Sequence, residues 1–445
     1  MSGGGRLVMP TRILVVGSGG REHALAWKLS AEPGVNEVVV APGSEAIAAL
    51  PRVRRIAGID PLDGAAVVAV ARAMAAELVV IGPEAPLAAG VADALTGAGI
   101  AVFGPNAAAA RIEASKAFCH EIAAAAGVPM ARAGAFREAR PAAAFAFQLD
   151  AEGRGIVVKA DGLAAGKGVT VANSLDEALA AIEIAVRAGP VVVEERLSGR
   201  EASVIALCDG RVALPMPIAR DHKRLADGDR GPNTGGMGAY SPLPDLPDEA
   251  ADDIVARFHE PILAELARRG SPFRGALYAG LMLTSDGPVL LECNARFGDP
   301  ETQVIVARLA VPLGPLLLAA ARGRLPDTVP SPSPDGRRIA TLPGAAVGIV
   351  LAAAGYPDAP RPDDRITGLD RAADAGALVF HAGTTVDVAG GYRTSGGRVL
   401  TVVGRGPDLA AARDQAGSAA RAIDFDGSQR RHDIGADVLV AGAAR

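Results

Sequence analysis

Over the first hundred residues, short apolar runs alternate with segments of helical periodicity. The apolar runs lie at residues 12–16, 37–40, 78–81 and 100–103. Alternating strand and helix units of this length predict an open parallel sheet with helices on both faces. We therefore expect an N-terminal, Rossmann-like α/β domain over residues 11–113.

Residues 114–325 mix helices with antiparallel strands. Ser115 and Gly127 bracket a helical pattern and have the residue types of an N-cap and a C-terminal stop. Asp-Gly pairs at 209–210 and 286–287 separate apolar runs, which predicts two hairpins because both turn positions favour positive φ. A small α+β unit is expected before the first hairpin, with three strands and a helix at 155–159, 169–172, 191–195 and 175–188.

The rest of the chain predicts a linker and a further domain. The Pro-rich stretch 326–336 is interpreted as a linker, and residues 337–445 as a strand-rich C-terminal domain with one clear helix at 408–423. Residues 1–10 lack the apolar core of a signal peptide and are interpreted as a disordered extension. The expected fold class is therefore α/β and α+β in several domains.

Composition narrows the functional classes. The chain of 445 residues is too long for one ordinary core, and 49% hydrophobic with 21% charged residues is typical of a globular protein. A formal net charge of −5 argues against nucleic acid as a partner, since phosphate backbones favour a basic surface. The three cysteines lack metal-ligand spacing, and no apolar stretch is long enough to cross a membrane, so we expect a cytoplasmic protein. The expected assembly is a monomer.

The first glycine cluster lies at residues 17–20, after a strand and at the start of a helix. Backbone N–H groups and the helix dipole favour an anion there. Glu22 stands where the dinucleotide-binding pattern needs a third glycine, and the second strand ends without an acid for a ribose. NAD is therefore disfavoured, while a small phosphate ester and a simple tight turn both stay open.

The second glycine cluster, residues 158–168, places Lys159 and Lys167 among several glycines. It differs from a P-loop because its glycine spacing is one residue short, Gly168 replaces the Ser or Thr that binds Mg²⁺, and a strand follows instead of a helix. We interpret it as a glycine flap between antiparallel strands that lies over nucleotide phosphates. A flexible surface hairpin is the alternative.

Two polar clusters follow later in the chain. Glu292 and Asn294 share one face of a predicted strand and offer the hard oxygen ligands that suit Mg²⁺ on nucleotide phosphates. Arg296 follows on the same face, placed to neutralise a transferring phosphoryl group, whereas a solvated strand end would leave it unexplained. The stretch 221–238 lacks hydrophobic periodicity and is long for a connection, so it is either functional or a solvated charged loop.

Taken in order along the chain, these clusters resemble the ATP-grasp superfamily and, within it, the phosphoribosylamine–glycine ligase (glycinamide ribonucleotide synthetase) family. The resemblance covers nearly all of residues 11–435. The strings that carry it are Gly19-Gly20-Arg21-Glu22-His23-Ala24 and residues 82–87, 103–105, 115–118, 159–168, 221–224, 231–240 and 294–301.

The resemblance implies an ATP-grasp core of two α+β subdomains, one of them a mobile lid over about residues 133–200. It also implies a reaction in purine biosynthesis. ATP phosphorylates the carboxylate of glycine, and the amine of 5-phosphoribosylamine attacks the glycyl phosphate to give glycinamide ribonucleotide, ADP and phosphate. The implied ligands are ATP, both substrates and Mg²⁺ or Mn²⁺, with no nucleic acid and no membrane.

The resemblance also implies a role for individual residues. ATP would contact Lys116, Lys159, Asp161, Gly162, Gly166, Lys167 and Gly168, with Glu194 and Glu195 at the adenine and Glu201 at the ribose. The metal would bind Glu292 and Asn294. Catalysis would involve Arg296, Asp221 and Lys223, and the substrates would contact Gly19, Gly20, Asn233, Gly235, Gly236 and Asp299.

Two departures from the family pattern bear on the site. Many grasp enzymes carry a metal-binding acid on the neighbouring strand, but residues 276–284 contain none, so water and phosphates must complete the metal shell. The segment 185–191 lacks a glycine-rich excursion that is common in the family. The alternatives are another grasp ligase, a NAD-dependent oxidoreductase and a nucleotide sensor without turnover, and the intact family strings oppose the first and the last.

Overall fold

The computed structural model describes residues 7–163, 168–325 and 338–436. Its N-terminal unit is a five-stranded parallel sheet with the order β3-β2-β1-β4-β5. Alternate residues of its central strand enter two different hydrophobic clusters, so both faces are covered and the predicted α/β class is confirmed. The elements are β1 Arg12–Gly17, α1 Gly20–Ala31, β2 Glu37–Pro42, α2 Glu45–Ala48, β3 Val53–Arg55, α3 Gly64–Ala73, β4 Leu78–Ile81, α4 Glu84–Ala88, α5 Val91–Gly97, β5 Val102–Phe103 and α6 Ala107–Ala114.

The chain before β1 corrects one expectation. Leu7 and Met9 pack against the hydrophobic cluster that contains α1, and Pro10 is buried. Residues 7–10 are therefore folded onto the protein and are not a disordered extension, because their apolar side chains have a surface to cover. Residues 1–6 lie outside the described residues.

Helix α7, Lys116–Ala125, leads into a small unit with its own core. Ser115 caps α7 as predicted, with its Oγ accepting from Phe118 N. Four antiparallel strands in the order β6-β9-β7-β8 pack with two helices around a separate hydrophobic cluster. These elements are β6 Ala133–Phe136, α8 Ala139–Ala151, β7 Ile156–Ala160, β8 Val169–Ala172, α9 Leu175–Ala188 and β9 Val191–Glu195.

A second antiparallel sheet, in the order β11-β10-β16-β17, forms the centre of the molecule and contains both predicted hairpins. Positive φ occurs in the two turns only at the glycines, 99° at Gly210 and 113° at Gly287, so the turns differ from the predicted type. The strands of this region are β10 Arg200–Asp209, β11 Ala213–Pro215, β12 Arg220–Asp221, β13 Arg224–Ala226, β14 Arg230–Asn233, β15 Gly238–Ser241, β16 Arg274–Thr284 and β17 Gly287–Asn294. Its helices are α10 Ala251–Ile254, α11 Glu260–Arg268, α12 Glu301–Val306 and α13 Gly314–Ala321, with a π-helical stretch Val255–His259 before α11.

The strand-rich C-terminal unit shares a sheet with the central region. The order is β12-β15-β18-β23-β20, and Gly238 of β15 lies opposite Ile349 of the C-terminal unit. The ends of the stretch 221–238 are thus strands of a buried sheet, whereas residues 228–232 in its middle are exposed. The C-terminal elements are β18 Ala345–Ala352, β19 Arg365–Ile366, α14 Leu369–Asp374, β20 Leu378–His381, β21 Thr384–Val386, β22 Tyr392–Thr394, β23 Arg398–Gly406 and α15 Leu409–Ala422.

Two other expectations concern the ends of this unit. The helix predicted at 408–423 is α15, and Asp408 caps it by accepting from Ala411 N. The linker expected at 326–336 lies outside the described residues. Within the described ranges, no helix has the length and apolarity needed to span a bilayer.

Candidate active site

The glycine loop after β1 is built around the side chain of Glu22. Its Oε2 accepts from Gly19 N at 2.6 Å, and Arg21 Nε donates to its Oε1 at 2.6 Å. A Cβ on Gly17 or on Gly82 would lie 2.7 Å or 2.0 Å from atoms of Glu22, so neither position has room for a side chain. The Glu22 carboxylate therefore fills the inside of the loop. Gly19 N is bonded to this carboxylate and is not directed at a phosphate.

Gly20 faces the loop that precedes α12. A Cβ on Gly20 would lie 3.0 Å from Gln303 Nε2 and 3.9 Å from Asp299 Oδ1. Arg398 of β23 holds Asp299, with Nη2 3.0 Å from Oδ2 and Nη1 donating to the Asp299 carbonyl at 2.6 Å. Burial alone would raise the pKa of Asp299, but Arg398 and Arg21 outweigh it and lower that pKa. The structure thus brings two of the predicted substrate residues, Gly20 and Asp299, to one wall of a cleft.

Arg398 also reaches the predicted glycine turn. Its Nη1 donates to Gly235 O at 2.5 Å, and Gly235 N donates to Tyr356 Oη at 3.0 Å. Gly236 has φ 112°, and a Cβ there would lie 2.5 Å from Pro300 Cδ. The C-terminal unit therefore fixes two predicted substrate segments through one arginine.

The flap is tied to the start of α7. Asp161 Oδ1 accepts from Lys116 N at 2.6 Å, and its Oδ2 accepts from Ser115 Oγ at 3.1 Å. Lys116 Nζ donates to Gly162 O at 2.8 Å, and burial lowers the pKa of Lys116. Asp161 is therefore occupied by the helix N-terminus, which leaves the lysine as the group available to a phosphate.

The base of the flap lies against the predicted substrate loop. Ala160 N donates to Gly168 O at 2.8 Å, which closes the two strands around the flap. Asn233 Nδ2 donates to Val169 O at 3.3 Å and so links β14 to the strand after the flap. Two further residues predicted to bind phosphates lie outside the described residues, namely Gly166 and Lys167.

Lys159 is buried against Glu194, and we call Lys116, Lys159 and the flap the lysine wall. Lys159 Nζ lies 2.7 Å from Glu194 Oε2 and donates to Leu291 O at 3.1 Å. His120 Nε2 lies 2.8 Å from the other carboxylate oxygen of Glu194. Burial would raise the pKa of Glu194, but Lys159 and His120 outweigh it and lower that pKa, so Glu194 is ionised.

The two acids predicted at the adenine lie on opposite faces of β9, since consecutive strand residues alternate. Glu194 faces Lys159, whereas Glu195 accepts from Arg132 N at 3.0 Å and pairs with Arg154. The Glu195 side chain therefore points away from a nucleotide on the Lys159 side.

The side chains of Glu201, Asp221 and Glu292 surround Lys223, and Glu301 is joined to Asp221 through Ser203. We call Lys223 and these four acids the acidic floor. Lys223 Nζ lies 3.0 Å from Glu201 Oε2 and 3.3 Å from Glu292 Oε1. The charge of Lys223 lowers the pKa of Glu292 to about 2. Burial alone would lower the pKa of Lys223, but Glu201 and Glu292 raise it well above its ordinary value. The predicted ribose acid, metal ligand and catalytic lysine are thus one cluster.

Ser203 connects the other two acids of the floor. Its Oγ lies 3.2 Å from Glu301 Oε1, 3.4 Å from Asp221 Oδ1 and 2.9 Å from Tyr278 Oη. Burial raises the pKa of Asp221 to about 8, with Lys223 opposing and Glu301 adding to the rise. Four carboxyl groups around one ammonium leave a surplus of acid, which suits a metal ion or an amine.

Glu292 and Asn294 lie on the same face of β17, and Cys293 between them is buried. Glu292 is ionised at neutral pH, and the amide oxygen of Asn294 is a second hard donor. The described residues contain no group of three or more His, Cys, Asp or Glu arranged to hold a metal. The pair therefore fits a divalent ion that takes its other ligands from water and phosphates.

Arg296 is buried between two acids of the N-terminal unit. Its Nη2 lies 2.9 Å from Glu113 Oε1, and its Nε lies 3.4 Å from Glu84 Oε2. Burial would lower the pKa of Arg296, but Glu113 and Glu84 outweigh it and raise that pKa. Arg296 is permanently charged and held at the junction of two units, and its contact with a phosphoryl group stays a prediction.

Sequence reasoning missed several residues of this site. Ser203 and Tyr278 lie within apolar strands and carry no local motif, and Arg398 comes from the C-terminal unit, far along the chain. Glu301 stands in the family string 294–301, so a signal for it was present. A surface cavity of about 460 Å³ lies elsewhere, between the end of α12 and the C-terminal sheet, and no acid lines it.

Three models of one protein family match the chain in order. The N domain of phosphoribosylglycinamide synthetase matches residues 11–113. Its ATP-grasp (A) domain matches residues 114–302, and its C domain matches residues 346–437. These matches include every side chain placed in the lysine wall and the acidic floor.

Proteins named phosphoribosylamine–glycine ligase match this chain over nearly its whole length. A phosphoribosylamine–glycine ligase of Streptomyces coelicolor is 50% identical over 428 residues, 96% of this chain and 99% of the relative. That of Phenylobacterium zucineum is 47% identical over 95% of this chain and 98% of its own. The crystal structure of phosphoribosylamine–glycine ligase from Thermotoga maritima matches with a TM-score of 0.76 at 33% identity, over 95% of this chain and 100% of that one. A biotin carboxylase domain from Hydrogenobacter thermophilus, at 17% identity and a TM-score of 0.69 over 95% of this chain and 92% of that one, shares the fold.

Proposed function

The chain belongs to the phosphoribosylamine–glycine ligase family, and from this premise we propose how its cleft joins glycine to 5-phosphoribosylamine with ATP in purine biosynthesis. The family uses ATP and a divalent metal ion, for which we propose Mg²⁺. The observation that carries the proposal is that the lysine wall lies next to the acidic floor. Lys159 donates to Leu291 O at 3.1 Å, and Glu292 is the next residue.

The first step forms glycyl phosphate. A carboxylate oxygen of glycine attacks the γ-phosphorus of ATP, the bond to the β-phosphate oxygen breaks, and ADP is released from the transferred group. Lys116 and Lys159 neutralise the phosphates, and Arg296 stabilises the charge on the group in transfer. Glu292 and Asn294 would hold the metal, which when bound supplies further positive charge at the phosphate oxygens.

The lid protects this intermediate, because an acyl phosphate hydrolyses if water reaches it. The flap and Asn233 link the lid to the substrate loop, so closure of the flap covers the reacting carbonyl. The bond from Asn233 Nδ2 to Val169 O, 3.3 Å long, is the contact that supports this arrangement.

The second step consumes the intermediate. The amine of 5-phosphoribosylamine attacks the carbonyl carbon, phosphate leaves with the oxygen that glycine supplied, and the nitrogen loses a proton. Carboxylates of the acidic floor stabilise the positive charge that develops on the nitrogen. We assign Asp221 to accept the proton, since a group with a pKa of about 8 exchanges protons near neutral pH. Gly20, Asp299 and the Gly235-Gly236 turn would hold 5-phosphoribosylamine, and Gly19 would support them through its bond to Glu22.

The order in which these bonds form and break can be tested directly with an oxygen label. Glycine labelled with ¹⁸O in its carboxylate should transfer one labelled oxygen to the phosphate product, as mass spectrometry of that phosphate would show. Phosphate without label would exclude an acyl phosphate formed from glycine. The same assay in water labelled with ¹⁸O is the control, and it should give unlabelled phosphate.

A further inference from the structure

A short hairpin, β13 with β14, separates the acidic floor from the C-terminal unit. Its strands pair at only two positions, Arg224 with Asn233 and Ala226 with Arg230, and the register shifts between them. Lys223 directly precedes this hairpin and Asn233 ends it, so its placement decides where both side chains point. Because a two-stranded hairpin is marginally stable alone, contacts from outside must hold it.

Arg431 makes those contacts from the end of the described chain. Its side chain is 1% exposed, and its Nη1 donates to Asp229 Oδ1 at 2.6 Å and to Arg224 O at 3.2 Å. Its Nε and Nη2 each donate to one oxygen of Asp433 at 2.7 Å. One buried guanidinium thus bonds the tip of the hairpin, its first strand and the C-terminal segment 431–433.

The neighbours of Arg431 bond to the same tip. Gly228 N donates to Asp433 Oδ2 at 2.8 Å, and His432 N donates to Asp227 Oδ1 at 2.7 Å. All three residues of the tip, 227–229, are therefore bonded to segment 431–433. Asp229 has φ 52°, which is unfavourable for a residue with a side chain, and its bond to Arg431 offsets that cost.

We propose that Arg431 is a positioning residue for the ligase reaction, which clamps the tip of the hairpin so that Lys223 and Asn233 meet the cleft. It touches no substrate and acts through the hairpin. The inference rests on the proposed function, because it assumes that Lys223 and Asn233 serve the substrates. It gives the C-terminal segment a role in the reaction that no local motif in the sequence indicates.

The test uses the full chain with Arg431→Lys, Asp229→Asn and the double variant. Asp229→Asn should raise the KM for glycine and for 5-phosphoribosylamine about tenfold, the effect of losing one charged hydrogen bond. Arg431→Lys should raise both at least as much, because it also affects the bonds to Arg224 O and Asp433. The affinity for a non-hydrolysable ATP analogue with Mg²⁺, measured by titration, should stay that of the unaltered protein. The double variant should be no worse than the poorer single variant, because both changes break the same bond.

The control is Arg421→Lys, which should leave every constant unchanged. Arg421 lies on α15, and its side chain donates to Ser418 Oγ at 3.0 Å, its one hydrogen bond to the described residues. If Arg431→Lys does not fold, Asp229→Asn carries the test, since the Asp229 side chain is 69% exposed. Unchanged KM values in folded variants would overturn the proposal, as would an equal loss of ATP affinity, which indicates general loosening.

A further variant distinguishes a failure of the proposed function from a failure of the positioning role of Arg431. Lys223→Met should abolish most turnover if the acidic floor is the substrate site. Full activity in Lys223→Met would remove Lys223 from the substrate site and so overturn the positioning role, whereas no glycine-dependent ADP release by the unaltered protein would overturn the proposed function itself. Loss of activity there, with unaltered KM values in Arg431→Lys and Asp229→Asn, would overturn only the positioning role.

Discussion

The lysine wall and the acidic floor are neighbours that differ in charge. The wall sets Lys116 and Lys159 against two acids, Glu194 and Asp161, the second of which is bonded to the start of α7. The floor sets four carboxyl groups against one ammonium group, with Lys223 within 3.3 Å of two of them. A cationic surface suits the phosphates of ATP, whereas an acidic one suits a metal ion and the amine substrates. The difference in charge between wall and floor therefore gives the phosphoryl donor and the phosphoryl acceptor different electrostatic environments in the proposed function.

The boundary between the two regions lies at β17. Lys159 bonds the carbonyl of Leu291, and the side chain of Glu292 belongs to the floor. In the proposed function the phosphoryl group crosses this boundary, from ATP at the wall to the carboxylate of glycine at the floor. The variants below separate the two regions, in order of decreasing expected effect.

Removal of the floor carboxylate nearest the boundary should have the largest effect. Glu292→Ala should lower kcat on the order of a hundredfold or more, because the metal loses a charged ligand. Thermal melting should show a folded protein, and ADP release measures the turnover. Glu183→Ala, at an exposed position on α9, is the control. Near-normal turnover in Glu292→Ala would show that the metal does not need Glu292 as a ligand.

Loss of the wall lysine should weaken both stability and ATP binding. Lys159→Met leaves Glu194 buried without its partner, which costs about 3–5 kcal/mol of unfolding free energy. Adding Glu194→Gln should restore much of that stability in urea unfolding while the KM for ATP stays high. Recovery of ATP binding together with stability would mean that Lys159 is only structural.

The pH dependence of stability should reveal Asp221. The folded pKa is raised to about 8 from an ordinary value near 4, so the protonated form stabilises the fold. That contribution is complete below the unfolded pKa, and it falls as pH rises to about 8, by at most about 1.4 kcal/mol per pH unit. Urea unfolding of metal-free protein from pH 4 to pH 9 should show this slope, and Asp221→Asn should lack it. The same slope in both proteins would place the titrating group elsewhere.

The smallest effect is expected for Glu195, whose side chain lies on the face of β9 opposite to Glu194. Glu195→Gln should change the unfolding free energy by at most about 1 kcal/mol, because Arg154 is largely solvated. The KM for ATP should be unaltered, since this side chain faces away from Lys159. A large rise in that KM would show that Glu195 reaches the nucleotide through its side chain.

The sequence predicted the parts of the fold that depend on local pattern. Parallel strands, both hairpins, α7 with its Ser115 cap, and α15 all follow from periodicity and capping residues. The sheet shared by β15 and β18 did not, because its partners lie more than a hundred residues apart and 238–241 shows no strand signal. Residues 7–10 were also mispredicted, since their packing surface is formed by α1.

The residues of the site likewise fall into those that a local sequence pattern predicts and those that it does not. Glu292 and Asn294 were paired from strand alternation alone, and the flap from its glycines and lysines. The clustering of Glu201 and Asp221 about one lysine depends on how β10, β12 and β17 come together, which no local pattern encodes. The occupation of Gly19 N by Glu22 was equally invisible, because it depends on a side-chain rotamer.

The central claim is that wall and floor cooperate in one glycine-dependent phosphoryl transfer. The most direct measurement is ADP release with a panel of amino acids, each with and without 5-phosphoribosylamine. The account predicts that sustained ADP release requires glycine and 5-phosphoribosylamine together and is lost in Glu292→Ala. ADP release that is independent of glycine would contradict it.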